Sequence, residues 1–495
     1  MKGFVSAFAS LALLAFTFTA QAQNQLTGAF VHPGYSSSDE VITTAQWPLF
    51  LDELQDLGND TVIVTPIRVT KAGQGCADST ADFEWVKGFP SKLGTILDAA
   101  QARGMKVVVG TTLTSLQCSS FWGSGNTAAI EADIAQNFAS VASSYGAHPA
   151  FYGWYIPDEP GPVPSYTYDY YKRLTTKLKT LANKPVAVAP FMSAQPPAPA
   201  TLASAAMAFR VFTGVDIQMW QDGIGANTGA KLFHWSRPGY STEQYYEALA
   251  AKLGASGLWA DIEIFNHGSP LFLNTGAGIS GAYRSASAHR INQQLWSARS
   301  AGKKVSWLNE WHMSELIGPT HGYVEAPRLM GVYRAFYGLG ATLTFPLNHS
   351  AYSWTPAPAA AYPDATGYEL FDRRVGDPRN PQDPAWVGID GAARVTIDLG
   401  TTKSIDWIGV HTLTFPSWGI RTPVSMDIYC GASPSTLVKI ATATAPFTQA
   451  GLSGSTEEEY VLGNRTALGA SCRYLDLRFP NGYWTFISEI EASSE

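Results

Sequence analysis

Charge is scarce in this chain of 495 residues, with 33 Lys and Arg against 40 Asp and Glu and a net charge of −7. No basic run or basic helix occurs, which excludes nucleic acid and anionic membrane surfaces as expected partners. Cysteine is scarcer still, at four residues whose spacing fits no zinc motif. The nine His residues form neither His-x-His nor His-Glu-x-x-His, so a metal-dependent hydrolase is the weaker reading. No Gly-rich phosphate fingerprint follows the first strand-like run, which argues against a doubly wound dinucleotide fold. Beyond residue 22 nothing is long and apolar enough to span a bilayer, so no membrane insertion is expected. The chain calls for no cofactor.

What is present begins with an exported protein's leader. Residues 1–22 read as a signal peptide, with Lys2 at the start, an apolar run over 4–20 and the small-residue site Ala20-Gln21-Ala22. A secreted or periplasmic, monomeric protein is the expectation. In that compartment the four Cys, two in each half, are expected as Cys76–Cys118 and Cys430–Cys472 disulfides. Aromatics are plentiful, with 15 Trp and 22 Tyr, suited to flat apolar faces such as those of sugar rings.

The length implies more than one core. Strand-like apolar runs at 27–32, 61–67, 106–111, 151–156, 185–189, 215–220, 257–264 and 304–309 alternate with helix-period segments. The helices are expected near 47–57, 93–103, 130–141, 166–181, 201–209, 242–253, 285–301 and 326–337. Eight such units over 26–348 predict an α/β fold, a (β/α)8 TIM barrel. Residues 341–347 form a ninth strand-like run, taken as an exit segment that could displace one of the eight. A Pro/Ala-rich linker and domain entry is expected over 349–384. Residues 385–495 then read as all-β, with runs at 394–399, 405–412, 424–430, 437–442, 473–479 and 487–492.

The carboxylates are the chemical signal. The run Phe-Tyr-Gly-Trp-Tyr-Ile ends in Pro157-Asp158-Glu159-Pro160, which places Asp158 and Glu159 at the end of the fourth strand. Both could instead cap the next helix. In the seventh strand, alternation puts Trp259, Asp261 and Glu263 on one face. Glu263 lies nearer the carboxyl end, where barrel chemistry sits; a buried ion pair is its bland alternative. The sixth strand brings Gln218, Trp220, Gln221 and Asp222, with Trp220 either a stacking platform for a sugar or core. The eighth adds Asn309, Glu310 and His312. Lone histidines near loops, His32, His234, His267 and His312, are more often hydrogen-bonded than ligating; His32 is placed with the substrate-binding set. Two carboxyl groups from separate strands are what glycoside hydrolysis needs: one protonates the leaving oxygen, the other attacks the anomeric carbon or activates water.

The arrangement resembles the retaining glycosidases with acid/base and nucleophile glutamates at the ends of strands four and seven, although Asp158 stands where that group has Asn. More narrowly, Gly-Trp-Tyr-Ile-Pro-Asp-Glu, Gln-Asp-Gly-Ile-Gly and Leu-Trp-Ala-Asp-Ile-Glu-Ile-Phe resemble a bacterial family labelled a domain of unknown function and grouped with glycoside hydrolases. The resemblance implies Glu159 as acid/base and Glu263 as nucleophile, acting on a polysaccharide or oligosaccharide. A barrel that binds carbohydrate without turnover is the rival from another class. Beyond the barrel, Trp386-Val-Gly-Ile-Asp-Gly, Val395-Thr-Ile-Asp-Leu-Gly and Arg473-Tyr-Leu-Asp-Leu-Arg-Phe resemble the discoidin, or coagulation factor five/eight C-type, jelly-roll sandwich. Its loops, among them 415–421 with Trp418, would be the ligand contacts.

Overall fold

A computed structural model describes residues 25–34, 40–70, 83–113, 126–160, 168–192, 196–224, 236–237, 240–267, 283–285, 288–307, 330, 333–334, 337, 339, 350–372, 374–376, 380–444, 458–464 and 467–493. The expected signal peptide, Cys76, Cys118, Asn309, Glu310, His312 and the ninth candidate strand lie outside them. The chain divides into two compact units, residues 1–265 with 294–330, and residues 266–293 with 331–495.

The first unit holds a closed barrel of eight parallel strands: β1 Gly28–Val31, β2 Thr61–Val64, β3 Lys106–Gly110, β4 Phe151–Ile156, β5 Val186–Val188, β6 Ile217–Gln221, β7 Leu258–Asp261 and β8 Lys303–Trp307. They pair in chain order, and β1 closes the ring on β8 with Gly28 opposite Val305. The eight expected strands are therefore the barrel strands, and residues 341–347 are not needed to close it. Strand β2, Thr-Val-Ile-Val, is buried throughout, as a parallel strand covered on both faces must be. Close approach sets one residue: a Cβ on Gly110 would meet Thr65 at 2.4 Å.

The helices between strands are α1 Trp47–Asp56, α2 Ser91–Ala102, α3 Asn126–Tyr145, α4 Tyr168–Leu181, α5 Pro199–Thr213, α6 Thr242–Leu253 and α7 Ala288–Ser297. α1 buries Trp47, Phe50, Leu51 and Leu54 on one stripe, each burial contributing roughly 1.5–3 kcal/mol before entropy is counted. α6 starts on a capping box between Ser241 and Gln244. The expected eighth helix falls mostly on residues that are not described.

Which strand residues face inward decides where the chemistry can be. Phe30, Ile63, Val108, Tyr155, Ala187, Ile217, Met219, Trp259 and Val305 pack together in the barrel interior, with Tyr152 and Trp307 against them. Unexpected from the sequence is a small sheet beyond β2 and β3, built from Arg68–Thr70, Phe83–Trp85 and Thr112–Leu113. Buried Arg68 ties it down: Nη2 reaches Asp133 at 2.6 Å and the Phe83 carbonyl at 2.9 Å, while Thr112 and Asn137 also donate to Asp133.

The second unit contains two antiparallel sheets. Five strands run in the order β9 (Ala351–Thr355), β11 (Ala393–Ile405), β16 (Ala470–Phe479), β13 (Ser425–Gly431), β14 (Val438–Thr444). Four run β10 (Val387–Asp390), β17 (Trp484–Ser493), β12 (Trp407–Thr414), β15 (Glu458–Gly463). One apolar cluster draws on both sheets, including Val395, Ile397, Ile428 and Leu477 from the first and Ile408, Val410, Ile487 and Ile490 from the second. The C-terminal region is thus the expected all-β sandwich. Within the stretch expected as linker and domain entry, Ala351–Thr355 pairs with β11 as an edge strand. Cys430 and Cys472 form a disulfide, 5.6 Å between Cα atoms, across the neighbouring strands β13 and β16.

Candidate active site

The inward residues at the C-terminal ends of the strands build the site. Trp259 faces the interior, so alternation turns Asp261, the last residue of β7, the same way. Asp261 is 2% exposed, and its Oδ1 has no hydrogen-bond partner. Burial, and then the nearby charges of Glu263, Asp222 and Glu159, push its carboxyl well above the usual carboxylate range. Asp261 thus feels the expected acids of strands four and seven, and its protonated form is favoured over the usual carboxylate.

Glu159 follows β4 and is partly buried. Loss of water raises its pKa, and a side-chain hydrogen bond with Gln221 opposes the rise. Gln221, the last residue of β6, lies on the Met219 side of its strand and also donates to the Ala189 carbonyl at 3.3 Å. Below them Tyr155 is fully buried, and burial together with Glu159, Asp261 and Asp158 keeps its hydroxyl protonated.

Asp158 does not point at this cluster's substrate side. It accepts a very short hydrogen bond from Tyr170 of α4, and the Tyr171 hydroxyl donates to its carbonyl at 3.4 Å. Burial raises its carboxyl to about 7, the Tyr170 bond lowering it and Glu159 adding to the rise. These contacts tie Asp158 to helix α4.

Gln218 and Trp220 also face away. Gln218 donates to the Ala206 carbonyl in α5 at 2.9 Å, and Trp220 donates to Gln218 at 3.0 Å. Both are buried between strand and helix, on the opposite parity from Ile217 and Met219. Besides Trp259, Trp307 of β8 faces the interior, a residue that sequence reasoning passed over. It stacks on Phe30 with ring centroids 4.8 Å apart and lies 6.5 Å from the His32 ring. His32 is buried, and loss of hydration lowers its pKa to about 3, so it is neutral. Its Nδ1 accepts the Gly34 amide at 3.3 Å, which leaves the proton on Nε2.

Asp222 and Glu263 meet beyond the strand ends. The Asp222 carboxyl accepts the Ile224 and Glu263 amides at 3.1 and 3.3 Å, and Gln294 of α7 at 2.7 Å. Gln294 was not anticipated; its signal is a polar residue between Ile291 and Leu295 on the buried stripe of α7. Asn309 and Glu310 fall outside the described residues. Among the described residues no group of three or more His, Cys, Asp and Glu is arranged to hold a metal ion, and no helix is long and apolar enough to cross a membrane.

A family model described as "Domain of unknown function (DUF4434)" matches residues 26–311. No curated protein matches. Similar solved structures include a Bacteroides thetaiotaomicron VPI-5482 protein described as an alpha-L-fucosidase, 17% identical over 64% of this chain and 94% of its own, with a TM-score of 0.46. A glycoside hydrolase family 5 protein from Bacteroides vulgatus ATCC 8482 is 10% identical over 92% and 89%, with a TM-score of 0.40. The family 32 carbohydrate-binding module of C. perfringens NanJ, solved with galactose, is 10% identical over 31% of this chain and 99% of its own, with a TM-score of 0.22. Such distant likenesses fix neither activity nor substrate.

Proposed function

Because the chain belongs to the DUF4434 family, whose label assigns no reaction, the site itself must supply one, and we propose that it is a retaining glycoside hydrolase acting on a polysaccharide or oligosaccharide. The observation that carries this reading is the gathering of Glu159, Asp261 and Glu263 at the ends of strands four and seven, with no cation paired to Glu159 or Asp261 among the described residues.

Glu159, with its raised pKa, holds the proton that goes to the glycosidic oxygen. As that C–O bond breaks, the Glu263 carboxylate attacks the anomeric carbon and forms a glycosyl ester. Glu159, now ionised, takes a proton from water, and the hydroxide equivalent cleaves the ester to release the sugar with its configuration retained. Asp261 hydrogen-bonds a sugar hydroxyl, and Trp307 offers a ring face. Gln221 orients Glu159. The chain is exported after cleavage near Ala22, and residues 385–495 act as a discoidin-like carbohydrate-binding module.

Purified protein incubated with a panel of bacterial and plant polysaccharides tests this. Release of oligosaccharides that disappears in Glu263→Ala is the expected result. A protein that binds a glycan without cleaving any of them would instead fit the carbohydrate-binding rival.

A further inference from the structure

Glu263 stands two residues past Asp261, where β7 ends and strand pairing no longer fixes the chain. Up to that point the backbone is held by ordinary ladder bonds. The Asp222 amide donates to the Asp261 carbonyl at 2.9 Å, and the Ile262 amide to the Val305 carbonyl at 2.8 Å. At Glu263 side chains take over. Its amide donates to Asp222 Oδ1 at 3.3 Å, and its carbonyl accepts Gln294 Nε2 at 3.0 Å. The same Nε2 donates to Asp222 Oδ2 at 2.7 Å, which closes a small ring of hydrogen bonds around the residue. Asp222 and Gln294 are both fully buried.

Packing does not account for Gln294. Its Oε1 is buried without a donor, which is destabilising. A leucine of similar volume would avoid that cost, but would leave Asp222 Oδ2 and the Glu263 carbonyl without this donor. What leucine would lack is the one nitrogen that joins the Asp222 carboxyl to the Glu263 carbonyl.

We propose that Asp222 and Gln294 are positioning residues: together they fix the backbone of Glu263 beyond the strand end and so aim its carboxyl at the reacting carbon. This rests on the reading of Glu263 as nucleophile. Asp222, expected from the sequence to touch substrate, acts instead through Glu263. Misplacing a reacting group by about 1 Å can cost 100-fold in rate, so the ring is expected to matter for turnover more than for stability.

The test compares Gln294→Leu, Asp222→Asn, their double variant and Glu263→Ala in the full chain. Gln294→Leu removes both donated bonds and the unmet acceptor. Because Asp222 Oδ2 and the Glu263 carbonyl lose their shared donor, its melting temperature should fall modestly, while kcat falls about 10- to 100-fold and KM moves less than about threefold. Asp222→Asn turns a donor toward one of three donors and should lower kcat similarly. The two losses should not multiply in the double variant, because both act through one backbone segment. Hydrogen exchange across residues 258–265 should speed up in each variant and stay unchanged elsewhere, a readout that needs no turnover.

Wild-type kcat in Gln294→Leu and Asp222→Asn, beside a dead Glu263→Ala, overturns the positioning claim and leaves the nucleophile reading intact. Near-normal activity in Glu263→Ala overturns the nucleophile reading. Unchanged exchange across 258–265 overturns the positioning claim whether or not the protein turns over any glycan. Losses that multiply in the double variant also overturn it.

Discussion

The barrel mouth and the β-sandwich treat their acids in opposite ways. In the sandwich, Asp398 is paired with Arg473 through two 2.9 Å bonds, and that pairing holds its carboxyl well below the usual range. Asp427 is lowered by Lys439. Asp476 is fully buried, yet it stays low because Thr396, Arg478 and Arg394 all donate to it. In the mouth, burial raises Asp158, Glu159 and Asp261, and no ion pair offsets it among the described residues. Structural acids are matched to cations, whereas strongly perturbed, unmatched acids in a cleft are the mark of a functional site. The sandwich unit has exceptions in Asp364 and Asp372, both raised by burial, but each keeps a donor: Trp354 reaches Asp364 at 2.8 Å and the Arg374 amide reaches Asp372 at 2.7 Å.

Substitutions should break the contrast in a definite order. Asp476→Ala leaves two arginines facing an apolar gap and should cost about 2–3 kcal/mol of stability, read by chemical denaturation. Asp261→Asn should do the reverse. It removes a buried carboxyl that burial already disfavours in its ionised form, so stability should rise by about 1 kcal/mol while turnover falls at least tenfold. A drop in both would mean that Asp261 is structural. Asp398→Asn, on an exposed pair, should leave the melting temperature within error.

Two buried groups give the mouth a pH signature. Asp158 has a folded pKa of about 7, raised above its unfolded value. Its contribution is complete below about pH 4 and is lost as pH rises through 7, a change of a few kcal/mol at most. His32, depressed to about 3, acts in the other direction, with stability present above about 6.5 and lost as pH falls toward 3. Denaturation midpoints measured across pH 4 to 8 should therefore fall at the alkaline side in the wild type and fall less there in Asp158→Asn, where raised Glu159 and Asp261 remain. A profile identical in the two proteins would place the titration elsewhere.

The barrel was legible because eight apolar runs alternate with helix-period segments, and a parallel strand covered on both faces must read that way. The positions of Glu159 and Asp261 followed from prolines after β4 and period-two alternation in β7. The orientation of β6 did not follow. Gln218, Trp220, Gln221 and Asp222 are all polar or amphipathic, and only packing against α5 reveals which parity faces in. Gln294 was hidden for a related reason: a buried glutamine on a helix has no local signal for a backbone 31 residues earlier in the chain. The small sheet anchored by Arg68 and Asp133 needed partners from two separate loops, a non-local pairing that periodicity does not report.

The division of roles between Glu159 and Glu263 is tested most directly by azide rescue on an aryl glycoside of whichever sugar the polysaccharide screen identifies. With Glu159→Ala the glycosyl-enzyme still forms, and azide should release a glycosyl azide of retained configuration, read by NMR at the anomeric centre. With Glu263→Ala no ester can form, and azide should attack directly to give the inverted product. Retained product from Glu263→Ala, or near-normal hydrolysis by it, would contradict the account.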